Sequence, residues 1–277
     1  MPLPEELVPF WYRRDATKDA RKTRWGMVFA DPRYPLLWDA NRAGVLEDIP
    51  DLTLGEIRAD LLPALDRATA ANEHIEFWAA QGSPAVGEMR ATGAEEHRDV
   101  VMVFEGPDPW LPRGDAEVSE IVELDDAFLQ WYRDSQNDFG RDTDYTSEVI
   151  EQMNRRDLED FVPRGLRFFA GLVGGTMAGL STLLSIDGVG YLDHVVIKPE
   201  FRRRGVASAL VLRVVEESRA AGDRLVHLLA DEGQPPQRLY ERLGFRVATN
   251  VVSFTRPNVR RNSSSAGDGP TPGEGSR

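Results

Sequence analysis

One stretch of the chain, VVIKPEFRRRGVASAL at Val195–Leu210, constrains the fold more than any other. Its pattern predicts a β-strand that ends at Ile197, a short loop, and an amphipathic helix that begins near Gly205. The first backbone N–H groups of a helix have no partner within it, so they point outward and favour an anion. The arginines at 202–204 add positive charge, and Gly205 and Ala207 leave room for a phosphate beside the backbone. The stretch therefore predicts a loop that binds a diphosphate.

Hydrophobic periodicity and turn residues predict an α/β fold class (α+β mixed sheet) with helices on both faces of the sheet. The predicted strands are Ala116–Leu124, Leu166–Val173, Thr176–Ser185, Tyr191–Ile197, Leu225–Ala230 and Phe245–Thr255. The predicted helices are Asp125–Asn137, Thr146–Leu158, Gly205–Ala221 and Pro235–Leu243. A Gly174-Gly175 hairpin turn and a later helical crossover imply both antiparallel and parallel strand pairs.

The length of 277 residues suits two domains of modest size. The segment GPDPWLPRGD, with three prolines and two glycines, is typical of a linker. We therefore expect an N-terminal domain at residues 1–106, a linker at 107–115 and a second domain at 116–256. Serine, glycine and proline dominate residues 257–277, so this tail is predicted to be disordered.

Composition argues against several classes of function. The chain has no cysteine, which removes disulfides and thiolate chemistry, and its four histidines show no metal-ligand spacing, so no metal is expected. The net charge of −13 opposes nucleic-acid binding and favours cationic partners such as protonated amines. No apolar run is long enough for a membrane helix, and the first residues do not resemble a secretory signal. We therefore expect a cytoplasmic protein that binds neither membranes nor nucleic acid.

Two motifs together carry a family resemblance. R-x-x-G-x-A (Arg202, Gly205, Ala207) is followed by L-Y-E-R-L-G-F at Leu239–Phe245, with a helix and a strand predicted between them. This combination resembles the GNAT superfamily of N-acetyltransferases over Ala116–Thr255. The resemblance implies a mixed sheet whose fourth and fifth strands splay apart around acetyl-CoA.

The resemblance also implies roles for particular residues. Tyr240 matches the tyrosine that protonates the departing thiolate, and the alternative is a core tyrosine with a satisfied hydroxyl. Asp193, His194 or a water molecule would accept the proton of the amine, and strand alternation places these two side chains on opposite faces. A backbone N–H near Val195 or Val196 would stabilise the oxyanion. The implied cofactor-binding residues are Val195, Val196, Ile197, Arg202, Arg203, Arg204, Gly205, Val206, Ala207, Ser208 and Gln234.

One departure from the family pattern concerns the cofactor. Many members carry Asn-x-x-Ala seven residues before the tyrosine, where this chain has Gly233 and Pro236. The asparagine usually contacts CoA, so that contact is missing here or is replaced by Gln234.

The N-terminal half carries a weak internal repeat of this second motif. Gly87–Gly106 echoes the sequence around Tyr240, with Gly93 aligned to Gly244 and Met89 at the tyrosine position. The half has no R-x-x-G-x-A loop. We therefore predict a tandem arrangement whose N-terminal half is a degenerate, catalytically silent GNAT-like unit or an accessory domain.

The resulting hypothesis is an acetyl-CoA-dependent N-acetyltransferase that acts on a primary amine by direct attack. The alternative is a non-catalytic acyl-CoA-binding sensor or regulatory protein. The acceptor, a small molecule or a peptide, is not identified by the sequence, and a homodimer is possible.

Overall fold

The structure, a computed structural model, describes residues 5–16, 19–106, 116–143 and 145–258, and for residues 137–143 it describes the backbone alone. The chain forms two compact units. Unit 1 comprises Met1–Ala16, Phe77–Ala79 and His97–Val252, and unit 2 comprises Thr17–Glu76, Ala80–Glu96 and Ser253–Arg277. Each unit is therefore assembled from segments that are distant in sequence.

From residue 116 onward, the secondary structure follows the predicted order of elements. The helices are α1 (Leu7–Arg14), α2 (Leu54–Ala68), α3 (Pro84–Ala91), α4 (Asp126–Thr143), α5 (Ser147–Arg156), α6 (Val206–Ala220) and α7 (Pro235–Arg242), with a π-helix at Asp157–Phe161 and 3₁₀ turns at Val162–Arg164 and Pro199–Phe201. The strands are β1 (Arg21–Lys22), β2 (Gly26–Phe29), β3 (Arg42–Val45), β4 (Asn72–Phe77), β5 (Glu95–Phe104), β6 (Glu117–Ile121), β7 (Arg167–Val173), β8 (Thr176–Ile186), β9 (Val189–Ile197), β10 (Leu225–Asp231) and β11 (Phe245–Pro257). None of the helices within the described ranges is both long and apolar enough to cross a membrane.

Unit 1 contains a mixed sheet with strand order β11-β5-β10-β9-β8-β7-β6. The pair β9–β10 is parallel, whereas β5–β10, β8–β9, β7–β8 and β6–β7 are antiparallel. The parallel pair is joined by helix α6, since parallel neighbours need a long crossover connection. The predicted mixed α/β fold class is confirmed.

Three glycines let helix α6 pack close to this sheet. A Cβ added to Gly171 on β7 would lie 2.7 Å from Val206 Cγ1, and one added to Gly190 on β9 would overlap Ser218 Oγ. A Cβ added to Gly179 on β8 would lie 2.5 Å from Ile197 Cδ1 of β9 and 3.3 Å from Leu210 Cδ1 of α6. Since interiors are close-packed, larger residues at these positions would push the helix away from the strands. The glycines therefore hold the start of α6 near the end of β9.

Unit 2 has strands β1 to β4 in sequential order, with β1–β2 and β2–β3 antiparallel. Helix α2 buries Ile57, Leu61 and Leu65 in the core of this unit. The internal repeat corresponds to a shared motif of helix, glycine and strand. Gly93, with φ +72°, connects α3 to β5, and Gly244, with φ +105°, connects α7 to β11.

The predicted domain boundary at residue 106 is wrong. Strand β5 precedes that boundary in sequence but pairs with β10 in unit 1, from His227↔Val103 to Asp231↔Asp99. Helix α1 also belongs to unit 1. Long-range antiparallel pairing has no local sequence signal, so a contiguous division of the chain missed it. The predicted linker at 107–115 lies outside the described residues.

The predicted start of the tail at Pro257 is also wrong. Pro257 is the last residue of β11, and Asn258 is buried. The Asn258 backbone N–H donates to the carbonyl of Ala71 at 2.9 Å, and its side chain donates to the carbonyl of Ala70 at 3.2 Å. These bonds tie Asn258 to unit 2. The rest of the predicted tail, from residue 259, lies outside the described residues.

Candidate active site

The two parallel strands of unit 1 separate at one end. They pair from Val189↔Leu225 to Tyr191↔His227 and, within the described residues, share no pairing beyond that point. Strand β9 continues to Ile197 against β8, and β10 continues to Asp231 against β5. A gap flanked by backbone therefore opens between β9 and β10 after Tyr191.

A β-bulge lies on the β9 side of this gap. Asp193 is opposite Thr182 and Val196 is opposite Leu180, so two residues of β9 occupy the place of one. His194, inside the bulge, has φ +53°, a left-handed conformation that is uncommon outside glycine. Such strain is retained where surrounding contacts hold it, and it often marks a functional site.

The bulge also decides which backbone donors face the gap. The N–H of Lys198 donates to the carbonyl of Ala178 at 2.9 Å. Because alternate residues of an antiparallel ladder point to the same neighbour, the N–H of Val196 is directed toward β8 as well. Counted back from Val196, the same alternation leads us to expect the N–H of Val195 to point away from β8, toward the gap. Of the two predicted oxyanion donors, the geometry favours Val195.

The start of helix α6 lies one short loop after β9. Gly205, with φ +80°, is the N-cap residue, and no side chain caps the helix. Arg203 and Arg204 are exposed beside it, and Arg202 donates from Nε to the carbonyl of Ile197 at 3.3 Å. Ala207 and Ser208, in the first turn, are half-buried. Uncapped N–H groups, the helix dipole and adjacent guanidinium groups form an arrangement that can bind a phosphate.

Tyr240 on helix α7 is buried, with its ring 6.0 Å from that of Phe245. Within the described residues its hydroxyl forms no hydrogen bond, and it is not one of the fully buried polar atoms that lack a partner, so it is open to solvent or to a ligand. Burial raises the pKa of Tyr240, and the carboxylates of Asp193 and Asp231 raise it further. The phenol therefore stays protonated at neutral pH and interacts electrostatically with the Asp193 carboxylate.

Asp193 lies at the centre of several buried groups. Its Oδ1 accepts a hydrogen bond from the His194 backbone N–H at 2.9 Å. Burial, followed by the charge of Asp193, raises the pKa of Tyr191 well above its ordinary value. The same carboxylate contributes to the raised pKa of Tyr132 and of Asp157.

The imidazole of His194 has a partner at each nitrogen. Nδ1 is 2.9 Å from Gln136 Nε2, and Nε2 is 3.5 Å from Asp157 Oδ2. The bulge interrupts the extended backbone on which alternation depends, and the expectation that Asp193 and His194 occupy opposite faces stays a prediction. Both residues act electrostatically on the Asp157 carboxylate.

Gln234 is exposed at the N-cap of α7 and forms no side-chain cap bond there. Instead, the Gly233 N–H donates to Gln237 Oε1 at 2.7 Å. The predicted role of Gln234 in holding the cofactor stays a prediction.

One group of side chains could hold a metal ion by spacing alone. His97 Nε2 is 3.1 Å from Asp231 Oδ1 and 3.4 Å from Asp99 Oδ1. Hydrogen bonds to Asp231 and Asp99 raise the pKa of His97 to about 10. The imidazolium is thus the cation that these carboxylates already share, and the expectation of no metal stays a prediction.

The comparisons with known proteins agree with this geometry. Residues 126–245 match the acetyltransferase (GNAT) family.

A mycothiol acetyltransferase of Nocardiopsis dassonvillei is 28% identical over 169 residues, which cover 56% of this chain and 51% of that protein. The match thus spans about half of the relative's length. A GCN5-related N-acetyltransferase from Kribbella flavida shares the fold at 15% identity, with a TM-score of 0.63 over 93% of this chain and 97% of the other. A tandem GNAT protein from the clavulanic acid biosynthesis pathway does so at 16% identity, with a TM-score of 0.54 over 92% and 90% of the two chains.

Sequence reasoning missed the partners of His194. Asp157, Gln136 and Tyr132 belong to no motif, and the π-helix that presents Asp157 is not visible in hydrophobic periodicity. The one usable signal was a run of polar and aromatic residues at helical spacing on α4, which reads equally well as core.

Proposed function

We propose that the protein transfers the acetyl group of acetyl-CoA to a primary amine. The observation that carries the proposal is the gap between β9 and β10, with an uncapped helix start at Gly205 and a strained bulge at His194 on the same strand. The family match and the acetyltransferase name of the curated relative support acetyl transfer. The amine acceptor is the finer part of the proposal, and Asp193 supports it because a carboxylate attracts an ammonium group.

Binding comes first. The diphosphate of CoA would contact the amides of Gly205 to Ser208, with charge supplied by Arg203 and Arg204. The acetyl thioester would then extend into the gap, where its carbonyl oxygen would accept a hydrogen bond from the N–H of Val195. This donor stabilises the negative charge that develops on the oxygen, and one such donor is typically worth about 100- to 1,000-fold in rate.

The chemical step forms one N–C bond and breaks one C–S bond. The lone pair of the neutral amine attacks the thioester carbonyl, the amine loses a proton, and the CoA thiolate gains one. Asp193 is the better acceptor for the amine proton, because both ring nitrogens of His194 already have partners at 2.9 and 3.5 Å.

Tyr240 would serve the leaving group. A thiol titrates near pH ~8.5, well below the raised pKa of this phenol, so a full proton transfer from Tyr240 is uphill. Its contribution is then a hydrogen bond that strengthens as negative charge gathers on sulfur. The proton that finally resides on CoA can pass from the ammonium through Asp193 and solvent.

The alternative, a non-catalytic sensor, would need the phosphate site but neither Tyr240 with a free hydroxyl nor Asp193 beside it. No observation favours it. The proposal also includes a small molecule or a peptide as the acceptor, a cytoplasmic location, and no nucleic-acid or membrane partner. The oligomeric state that we consider is a homodimer.

The decisive experiment measures thiol release from acetyl-CoA over a panel of primary amines, with hydroxyl compounds of matched shape as controls. We expect release that depends on the amine and an acetylated product by mass spectrometry. Binding of acetyl-CoA without release by any amine would favour the sensor. No binding at millimolar acetyl-CoA would overturn both functions.

A further inference from the structure

The π-helix Asp157–Phe161 presents a carboxylate beneath the bulge of β9. Asp157 is its first residue, follows directly on helix α5, and is 7% exposed. A π-turn shifts side chains out of the α-helical register, and such turns recur at functional sites. The shift places the Asp157 carboxylate toward His194 and Tyr132.

This carboxylate belongs to a closed ring of contacts among four side chains, those of Asp157, Tyr132, Gln136 and His194. The Tyr132 hydroxyl donates a hydrogen bond to Asp157 Oδ2 at 2.5 Å, and the same oxygen lies 3.5 Å from His194 Nε2. Gln136 donates from Nε2 to Tyr132 Oη at 3.2 Å and to His194 Nδ1 at 2.9 Å. An imidazole that accepts at Nδ1 carries its proton on Nε2, where it can donate to Asp157. The ring thus specifies one tautomer and one orientation of His194.

The cost of this arrangement argues against simple packing. Burial raises the pKa of Asp157, and the hydrogen bond from Tyr132 opposes that rise. The ionisable or charged groups that face the carboxylate are Tyr132 on α4, His194 and Asp193 on β9, and the adjacent Arg156, which pairs with Asp15 at 3.1 Å. A buried carboxylate is expensive unless it has partners, so an apolar residue would fill this position at lower cost.

We propose that Asp157 is a positioning residue for amine acetylation. It holds His194 in the Nε2–H tautomer and in the left-handed conformation of the bulge. The His194 backbone N–H then anchors the Asp193 carboxylate, and the next N–H, that of Val195, is directed into the gap. This inference rests on the proposed function for its catalytic part, whereas the control of His194 can be measured without turnover.

The test uses Asp157→Asn, which keeps the size of the side chain but removes the strong acceptor. A matched control is Glu159→Gln, an exposed carboxylate on the same π-helix. We expect kcat to fall about 100-fold, as a small displacement of reacting groups can produce, with the affinity for acetyl-CoA unchanged by calorimetry. Nitrogen NMR should show His194 as the Nε2–H form in the native protein and the control, and a changed tautomer in Asp157→Asn.

A double-mutant cycle with His194→Gln separates positioning from a structural role. If Asp157 acts through His194, the double variant should lose no more activity than the worse single variant. Additive losses, or an unchanged His194 tautomer in Asp157→Asn, would overturn the proposal. If Asp157→Asn does not fold, Tyr132→Phe removes one hydrogen bond of the same ring, and an unchanged His194 spectrum there would also overturn it. Absence of acetyl transfer in the native protein, with the tautomer changed as expected, would reject the proposed function and retain the control of His194.

Discussion

Helices α2 in unit 2 and α6 in unit 1 each follow a strand of their unit, but they begin differently. In α2, Thr53 Oγ1 accepts from the Glu56 N–H at 3.3 Å, and Glu56 Oε2 accepts from the Thr53 N–H at 3.1 Å. Glu88, from α3, adds an acceptor for the Leu54 N–H at 2.7 Å. In α6 the N-cap residue is Gly205, and no side-chain cap accepts a hydrogen bond from the first N–H groups of the helix.

The difference shows how a phosphate site can be absent from one unit while its helix remains. Two carboxylates satisfy the donors at the start of α2 and repel an incoming anion. Among the described residues, no side chain caps the start of α6, which costs stability and is retained where a ligand supplies the missing acceptor.

The largest effect expected from this comparison is loss of acyl-CoA binding in Gly205→Val. Valine is strained at φ +80°, and its branched side chain would occupy the space of the phosphate. Calorimetric titration should detect no binding at millimolar acetyl-CoA. In the native protein, acetyl-CoA at ~100 times its Kd should add about 2.7 kcal/mol of stability.

The matched control is Gly55→Ala at the start of α2, where an added Cβ would meet nothing closer than Thr53 Oγ1 at 3.9 Å. It should leave binding intact. A folded Gly205→Val protein that binds acetyl-CoA normally would contradict the assignment of the α6 start.

The next largest effect concerns the tyrosine that the repeat replaces with methionine. Tyr240→Phe should lower kcat by about 100- to 10,000-fold, with little change in the Kd of acetyl-CoA, because only the hydroxyl is removed. Met89→Leu, at the corresponding buried position of α3, should change stability by less than ~1.5 kcal/mol and leave kcat unaltered. Full turnover in Tyr240→Phe, with chemistry rate-limiting, would make Tyr240 a core residue.

A moderate effect of acid is expected in unit 1. Burial lowers the pKa of His227, opposite Tyr191 at the last strand pair before the gap, to about 3. Because the unfolded chain binds this proton with a pKa near ~6.5, stability is fully present above that pH and is lost as pH falls from about 6.5 toward 3. Between pH 7 and 5 the histidine should lower the free energy of unfolding by about 2 kcal/mol.

Chemical denaturation at both pH values measures this change. His227→Gln should reduce the pH dependence by that amount, whatever its effect on stability at pH 7. An identical pH dependence in the two proteins would show that His227 is not the titrating group.

The smallest effect is expected in unit 2. Glu88→Ala removes the acceptor of the Leu54 N–H and should lower stability by about 1 kcal/mol, the usual value of a helix cap. Glu95→Ala, an exposed glutamate on β5, serves as the control. Thermal unfolding compares the two, and equal stability would show that Glu88 contributes nothing to the start of α2.

Local signals were sufficient to predict most elements of unit 1. The Gly174-Gly175 turn has φ +56° and +76°, as a tight hairpin requires, and it placed β7 and β8 correctly. Helix α6 was predicted to within a residue at each end, because an apolar stripe and a terminal glycine define it. The loop was named from its own sequence pattern, whereas Tyr240, Asp193 and His194 were named from the family resemblance.

Features that depend on distant contacts escaped prediction. The left-handed His194 reads in sequence as an ordinary strand residue, and the pairing of β5 with β10 joins segments more than a hundred residues apart. Helix α5 was predicted to continue to Leu158, but the α-helix ends at Arg156 and a π-helix follows. That one change of register supplies Asp157 to the site.

The place of β5 in unit 1 has a consequence for how the protein can be made. During synthesis β5 is completed long before β10 is made. Strand β5 therefore cannot pair with β10 until much later in synthesis. A fragment cut to begin at residue 116 would leave the edge of β10 along His227–Asp231 open to other chains. Expression of that fragment should yield aggregates, and co-expression of a peptide spanning β5 should restore soluble material.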